Sequence, residues 1–185
     1  MQKLVKIVGV CLFAASLMAC DGSKDQPVAT GSGTSAEQSD QTSVLGGKVS
    51  FTVPDGLQDQ SGKSATQATN MAVYADNAAQ KMLIVISSSM PDDTLENLIT
   101  RMEAQQKMRD AELVIIKKEE VTADGQKLQR LDTAIRIDGK KNYSSTLLGQ
   151  IDKQLLTMQL TYPIEQQEEA EKAINQFISS LKIKP

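Results

Sequence analysis

The sequence predicts an α+β domain, an antiparallel β-sheet flanked by two helices. Three observations carry this. Strand-like segments come in runs joined by short turns, two of them Asp-Gly, the tight-hairpin pair that tolerates positive φ. One late segment alternates apolar and polar residues cleanly, as a strand with one buried and one wet face does. Two other segments repeat apolar residues at helical spacing.

The chain begins MQKLVKIVGVCLFAASLMAC. Lys3 and Lys6 precede an apolar core from Ile7 to Ala15, and small residues approach Cys20. This is the layout of a secretory signal, and the apolar run is short for a bilayer about 30 Å thick. Leu17-Met18-Ala19-Cys20 resembles a bacterial lipoprotein signal, although Met18 is bulkier than the small residue usual there. The resemblance implies cleavage between Ala19 and Cys20. It also implies lipidation of Cys20 through its sulfur and its new amine, with fatty acids such as palmitate. A thiol suits that chemistry because its thiolate is the nucleophile. Two or three acyl chains hold a membrane stably where one does not, at about 0.8 kcal/mol per buried CH₂. Asp21 resembles the enterobacterial sorting signal that retains a lipoprotein in the inner membrane, facing the periplasm.

From Asp21 to about Val44 the chain is rich in Ser, Thr, Gly, Gln and Asp and has no aromatic residue. Such a stretch buries too little apolar surface to offset its ordering entropy, so residues 20–44 are expected to be a lipidated, disordered tether. About 25 flexible residues reach roughly 25–30 Å.

Residues 45–185 are expected to form one domain, of ordinary single-domain size. In GKVSFTVPDG, Val49, Phe51 and Val53 alternate before a Pro-Asp-Gly turn, as in a strand. Met71–Ala75 and Met82–Ile86 read as a hairpin turning near Asp76-Asn77, and the unbroken apolar run of the second strand suits an internal place in the sheet. Pro91, Asp92, Asp93 and Thr94 then supply helix-start signals for a helix carrying Leu95, Leu98, Ile99 and Met102. Four strands follow, turning at Ala123-Asp124-Gly125, at Asp138-Gly139-Lys140 and near Asp152. In the last of them Leu156, Met158, Leu160 and Tyr162 alternate. After Pro163 a closing helix places Ala170, Ala173, Ile174, Phe177, Ile178 and Leu181 on one face, with Glu165, Glu168 and Glu169 at its start.

Composition excludes several chemistries. The chain has no histidine, and its two cysteines, Cys11 and Cys20, are respectively lost with the signal and consumed by acylation on this reading. Cys–His and Ser–His–Asp nucleophilic catalysis and the usual His/Cys zinc sites are therefore absent. Loss of residues 1–19 removes two lysines and no acid, which takes the formal net charge from −3 to −5. That balance gives no basic footprint for nucleic acid. Gly62-Lys63-Ser64 has the wrong glycine spacing for a phosphate loop, with five residues instead of four between Gly56 and Gly62. Ser87–Ser89 has no lysine at S-x-x-K spacing. Asp92-Asp93 and Glu168, Glu169 and Glu171 read as helix N-terminal charges rather than cation ligands. Paired carboxylates for glycoside chemistry stay open on sequence, but three Tyr, three Phe and no Trp argue against a sugar-stacking cleft. The methionines lack Met-x-Met clustering, so core packing suits them better than copper. No catalytic residue, cofactor or metal is assigned.

The segments QSGK, LQRLDT and YSSTLLGQIDKQLLTMQL, with the lipobox and polar tether, are similar to the DcrB family of enterobacterial inner-membrane lipoproteins over essentially the whole chain. The resemblance implies a PsbP-like fold and a non-enzymatic binding or accessory role in envelope integrity and lipoprotein maturation. A part in phage adsorption is implied too. It carries no catalytic motif, and its one site residue is Cys20. The expected partners are the inner membrane, through the lipid, and an envelope protein. Two other classes remain: a periplasmic enzyme using carboxylates or a Ser–Lys pair, which a cleft with converging acids would favour, and a small-ligand carrier, which a deep apolar pocket would favour.

Overall fold

A computed structural model describes residues 41–62 and 70–184. Along the chain run β1 (Gln41–Val44), β2 (Val49–Thr52), β3 (Gln58–Asp59), β4 (Met71–Asp76) and β5 (Lys81–Ser89). Helix α1 (Leu95–Arg109) follows, then the meander β6 (Val114–Ala123), β7 (Gln126–Ile137), β8 (Lys140–Ile151) and β9 (Gln154–Pro163). Helix α2 (Gln167–Ser180) and the short β10 (Lys182–Ile183) close the chain. Seven strands pair in the order β3-β4-β5-β9-β8-β7-β6, and β1-β2-β10 form a second sheet. All pairings are antiparallel.

The meander turns where the sequence reading places it. Asp124 and Gly125 have φ of 48° and 79°, and Asp138 and Gly139 have 49° and 78°. Two consecutive positive φ values match the right-handed twist of the flanking strands, which is why Asp-Gly recurs there. Helix α1 starts as its residues dictate: Thr94 caps it by accepting from the Asn97 N–H, and Lys107 and Arg109 sit in its last turn.

The large sheet has two unequal faces. Leu156, Met158, Leu160 and Tyr162 of β9 alternate inward and are at most 2% exposed. They join Leu83 and Val85 of β5, Leu147 of β8 and Leu128 of β7 in the main core, which Ala170, Ile174 and Phe177 of α2 cover. On the opposite face Ile99 of α1 meets Leu131 and Leu148 in a smaller cluster. β5 is internal, between β4 and β9. Gly149 opposes Leu128 across β8 and β7, where any Cβ would come 2.5 Å from the Leu128 Cδ2.

Three expectations need correction. Gln41–Val44 belongs to a strand rather than to the tether, because its backbone pairs with Thr52–Val49 and Val44 packs against the main core. The closing helix stops at Ser180, where Leu181 turns extended so that Lys182 and Ile183 can pair with Ser50 and Val49. The strand at Val49 lies in the small sheet, and Gln58–Asp59, inside the loop expected after it, adds an edge strand to β4. The partners of β10 and β3 lie well along the chain, where local periodicity carries no signal, and β1 is a short polar strand whose residues show no apolar alternation of their own.

Candidate functional site

Alternation on β7 places Leu128, Arg130, Asp132 and Ala134 on the main-core face, opposite Gly149, Leu147, Ser145 and Tyr143 of β8. Two charges thus enter an otherwise apolar layer. Asp132 is fully buried and Arg130 is 2% exposed. The Arg130 Nε donates to both Asp132 oxygens at 2.9 and 3.0 Å, and a terminal nitrogen donates to Oδ2 at 2.6 Å. Tyr143 Oη donates to Oδ2 at 2.6 Å and Ser145 Oγ donates to Oδ1 at 2.5 Å. The other guanidinium nitrogen reaches Asn175 Oδ1 of α2 at 2.8 Å. Every Asp132 lone-pair direction is engaged, as a buried charge requires.

Burial alone would lower the Arg130 pKa, but its hydrogen bonds and attraction to Asp132 outweigh that and raise it. The Tyr143 phenol is pushed up, chiefly by burial and then by its bond to Asp132, which only the protonated phenol can make. Sealed from solvent and saturated with donors, Asp132 has no free position from which to accept a substrate proton.

The open feature nearby is a cleft of about 460 Å³ between the segment after β2 and helix α2. Asp55, Tyr162, Glu169, Lys172 and Gln176 line it. Lys81 Nζ stands 5.0 Å from the centre of the Tyr162 ring and 2.6 Å from Glu169 Oε1. Burial, with the charges of Glu169 and Asp55, pushes the Tyr162 phenol up to about 12. The cleft therefore presents the Asp55 and Glu169 carboxylates, the second of them paired with Lys81 behind the lining, the Lys172 ammonium and a neutral phenol. Such a set recognises polar or zwitterionic groups by hydrogen bonding and holds no activated nucleophile.

The residues weighed on sequence fall as follows. Ala19, Cys20 and Asp21, for cleavage, lipidation and sorting, lie outside the described residues, as do Lys63 and Ser64. Asp93 is committed to the start of α1: Oδ1 accepts from Asn97 Nδ2 and the Thr94 N–H, both at 2.8 Å, and Oδ2 pairs with Arg101 at 3.0 Å. These contacts, led by Asn97, hold its pKa below the usual carboxylate value. Glu169 pairs with Lys81, and Glu171 accepts from Gln167 at 2.8 Å. Ser87 pairs in register with Leu156 of β9. Among the described residues there is no group of three or more His, Cys, Asp or Glu placed to hold a metal, and no helix long and apolar enough to cross a membrane.

Sequence reasoning missed Arg130, Asp132, Tyr143, Ser145 and Asn175. A signal existed. Arg130 and Asp132 stand two apart in the same alternation as Leu128 and Ala134, so a pair of opposite charges occupies the face that should be buried. Both LQRLDT and YSSTLLGQ, two of the segments that carry the family likeness, contain members of this cluster.

The seven-stranded antiparallel sheet with helices packed against it defines an α+β domain of the PsbP-like kind. It superposes on the cyanobacterial PsbP (CyanoP) of Synechocystis sp. PCC 6803 with a TM-score of 0.57 at 19% identity, over 77% of this chain and 91% of that one. It superposes on LpqN of Mycobacterium tuberculosis, described as involved in cell envelope biogenesis, at 0.53 and 16% identity, over 74% of this chain and 83% of that one. These likenesses concern the fold alone. The chain belongs to the DcrB family: the DcrB family model matches residues 49–180. It is 40% identical over 184 residues to the inner membrane lipoprotein DcrB of Shigella flexneri, covering 99% of this chain and 100% of that one.

The buried pair leads to a graded expectation. Asp132→Ala leaves Arg130 charged and unpaired and should cost about 3–5 kcal/mol, whereas replacing Arg130 and Asp132 together with Met and Leu should cost much less than twice that. Urea unfolding of the singles and the double checks it; a purely additive double variant would refute the coupling.

The tyrosines give a second test. Tyr74, Tyr143 and Tyr162 all titrate above the ordinary phenol value in the folded chain, with burial as the leading cause. A phenol whose folded pKa is raised favours folding fully below its unfolded pKa of about 10, and that contribution fades as pH rises through the folded value. Phenolate absorbance should therefore stay low in the folded chain past pH of about 10 and rise together with loss of near-ultraviolet dichroism. Free ionisation near pH 10 with the fold intact contradicts it.

Proposed function

We propose that the chain is a lipid-anchored accessory protein of the inner membrane that faces the periplasm and works by binding rather than catalysis. Cys20 carries the anchor and the new N-terminus after cleavage behind Ala19, and Asp21 holds the protein in the inner membrane. The α+β head then engages an envelope protein. The inner-membrane name of the Shigella flexneri relative and the Leu17–Cys20 signal support the placement.

One observation carries the non-enzymatic reading. The most site-like charges in the domain, Arg130 and Asp132, are buried beneath α2 and wholly engaged with each other and with Tyr143, Ser145 and Asn175. Of the charged groups open around the cleft beside α2, Glu169 is engaged by Lys81. That surface suits recognition of a polar partner segment. Family resemblance supports envelope integrity and lipoprotein maturation as the setting, with a part in phage adsorption or entry.

The anchor has a direct test. Cells fed a fatty-acid analogue should label the wild type and not Cys20→Ala, and Asp21→Ser should shift the protein from the inner- to the outer-membrane fraction. Equal label on both chains, or unchanged fractionation, sinks the corresponding assignment. For the binding role, a photocrosslinking residue replacing Gln176 in the cleft should capture one protein in living cells, and Lys172→Glu should weaken the adduct. Capture of nothing specific from that position would count against the cleft as the docking surface.

A further inference from the structure

Among the described residues, the exposed large apolar side chains are Met108 at 80%, Val114 at 49% and Ile137 at 38%. All stand at one end of the fold. Asp110 ends α1, and its carboxylate accepts the Arg136 N–H at 2.7 Å, which fastens the end of the helix beside the end of β7. Met108 lies two residues before that joint and Ile137 one residue after Arg136, on the α1 side of the sheet, while Val114 pairs with Ala134 and so stands on the other face at the same sheet end.

Cations surround these side chains. Lys107 and Arg109 bracket Met108, and in the β7–β8 hairpin Arg136 opposes Lys141 while Ile137 opposes Lys140. Arg109, Lys140 and Lys141 are exposed and make no ion pair among the described residues. The nearby acids are mostly engaged: Asp110 accepts backbone N–H groups from Glu112 and Arg136, and Glu112 pairs with Arg136 at 2.7 Å. Asp138 in the hairpin turn is the exposed exception. These cations belong to a chain whose formal charge is −3, and the start of α2, with Glu165, Glu168 and Glu169, has the opposite character at the same end of the large sheet, where Pro163 pairs with Asn142, on the face away from α1.

We propose that this end of the domain is a membrane-docking surface that takes an anionic phospholipid headgroup layer. Met108, Val114 and Ile137 enter the boundary between headgroups and acyl chains, while Arg109, Lys140 and Lys141 meet lipid phosphates. Long cationic side chains set around exposed apolar ones have the composition of an interfacial binding site, where buried apolar area and attraction to anionic lipid add together. Apolar side chains this exposed mark interaction sites when they cluster.

The route of the chain agrees. Val44 pairs with Val49 beside Ile183, whose N–H is held by Asp124 at the β6–β7 turn. Gln41, at the other end of β1, pairs with Thr52 and points away from that turn. Gln41, the first described residue, thus lies on the side away from the β6–β7 and β8–β9 turns, and the β7–β8 hairpin lies at that same end of the sheet. The proposal takes from the proposed function that the chain is kept near a membrane, but the surface binds anionic lipid through the head's own side chains, so a chain without the lipid at Cys20 tests it.

The probe is a nitroxide on Met108→Cys in the full chain with Cys11→Ser and Cys20→Ala, which leaves a single thiol. It is compared with the same label on Gln176→Cys, on phosphatidylglycerol vesicles and on phosphatidylcholine vesicles. Docking predicts that on phosphatidylglycerol the label at 108 becomes several-fold more accessible to oxygen than to a water-soluble nickel chelate, while the label at 176 stays aqueous. High salt, or Arg109→Glu with Lys140→Glu and Lys141→Glu, should return the 108 label to water without altering the circular dichroism, because those side chains are exposed. A 108 label that stays aqueous on phosphatidylglycerol overturns the proposal and reassigns the patch to an acidic protein. Equal immersion of both labels overturns it too, as does failure of the chain to associate with anionic vesicles. Fatty-acid labelling at Cys20 reports the anchor separately, so loss of one reading is distinguishable from loss of the other.

Discussion

A carboxylate with no exposure to water must be surrounded by donors, and much of this domain's arrangement follows from how Asp132 meets that requirement. Its partners come from β7 itself, through Arg130, and from β8, through Tyr143 and Ser145. Arg130 then extends the contact to Asn175, which ties α2 to the sheet across the chain. The β7–β8 register is therefore specified twice. Sliding the pair by one residue would turn Leu128 and Leu147 out of the core, and it would also strand a buried charge without Tyr143 and Ser145. A buried ion pair of this kind is a weak source of net stability, but few alternative packings can satisfy it.

Around this polar centre the apolar packing is closed by scarce aromatic residues. Phe51, Tyr74, Tyr143, Tyr162 and Phe177 are all at most 4% exposed. Phe51 of the small sheet meets the Tyr74 ring edge-on at 6.0 Å and the Phe177 ring at 5.2 Å. One side chain thus joins the small sheet, the large sheet and α2, a geometry in which ring pairs add to the area they bury. The Lys48–Asp152 ion pair and the bond from the Ile183 N–H to Asp124 fasten the same small sheet to the hairpin turns. Among the described residues these rings are committed to the core, and none stands exposed for stacking on sugars or bases.

On the binding role proposed above, function depends on placement of surface groups rather than on a reactive centre. The domain is polarised: carboxylates gather where α2 begins, and cations with exposed apolar residues gather where α1 ends. A head held at a bilayer by one end of its chain is free to rotate unless its surface prefers a pose. A charge asymmetry across the fold supplies that preference at little cost in stability, since exposed charges contribute little to folding. The cleft beside Tyr162 and Lys81 would then face a direction set by the membrane instead of a random one.

The positions of the turns at Asp124-Gly125 and Asp138-Gly139, the cap at Thr94 and the alternation from Leu156 to Tyr162 were legible because each is decided by residues within a few positions of one another. So was the lack of any histidine, which removes whole classes of catalysis by composition alone. The alternation of Arg130 and Asp132 with Leu128 and Ala134 was also written locally, yet its meaning was not, because a charge pair on a strand face reads equally as a wet edge. Only the fold supplies Tyr143, Ser145 and the distant Asn175 that make burial tolerable. Tertiary structure likewise turned the end of the tether into β1, unwound the last turn expected of α2, and brought Met108, Val114 and Ile137 to one end of the molecule. Periodicity and turn chemistry act between neighbours, and so the sequence by itself determined the elements. Hairpin partners follow from those turns, but the pairings that cross the fold, β5 with β9, β2 with β10 and Arg130 with Asn175, are chosen by contacts between residues tens of positions apart, which compete only once the chain is collapsed, and the tertiary structure alone decided those.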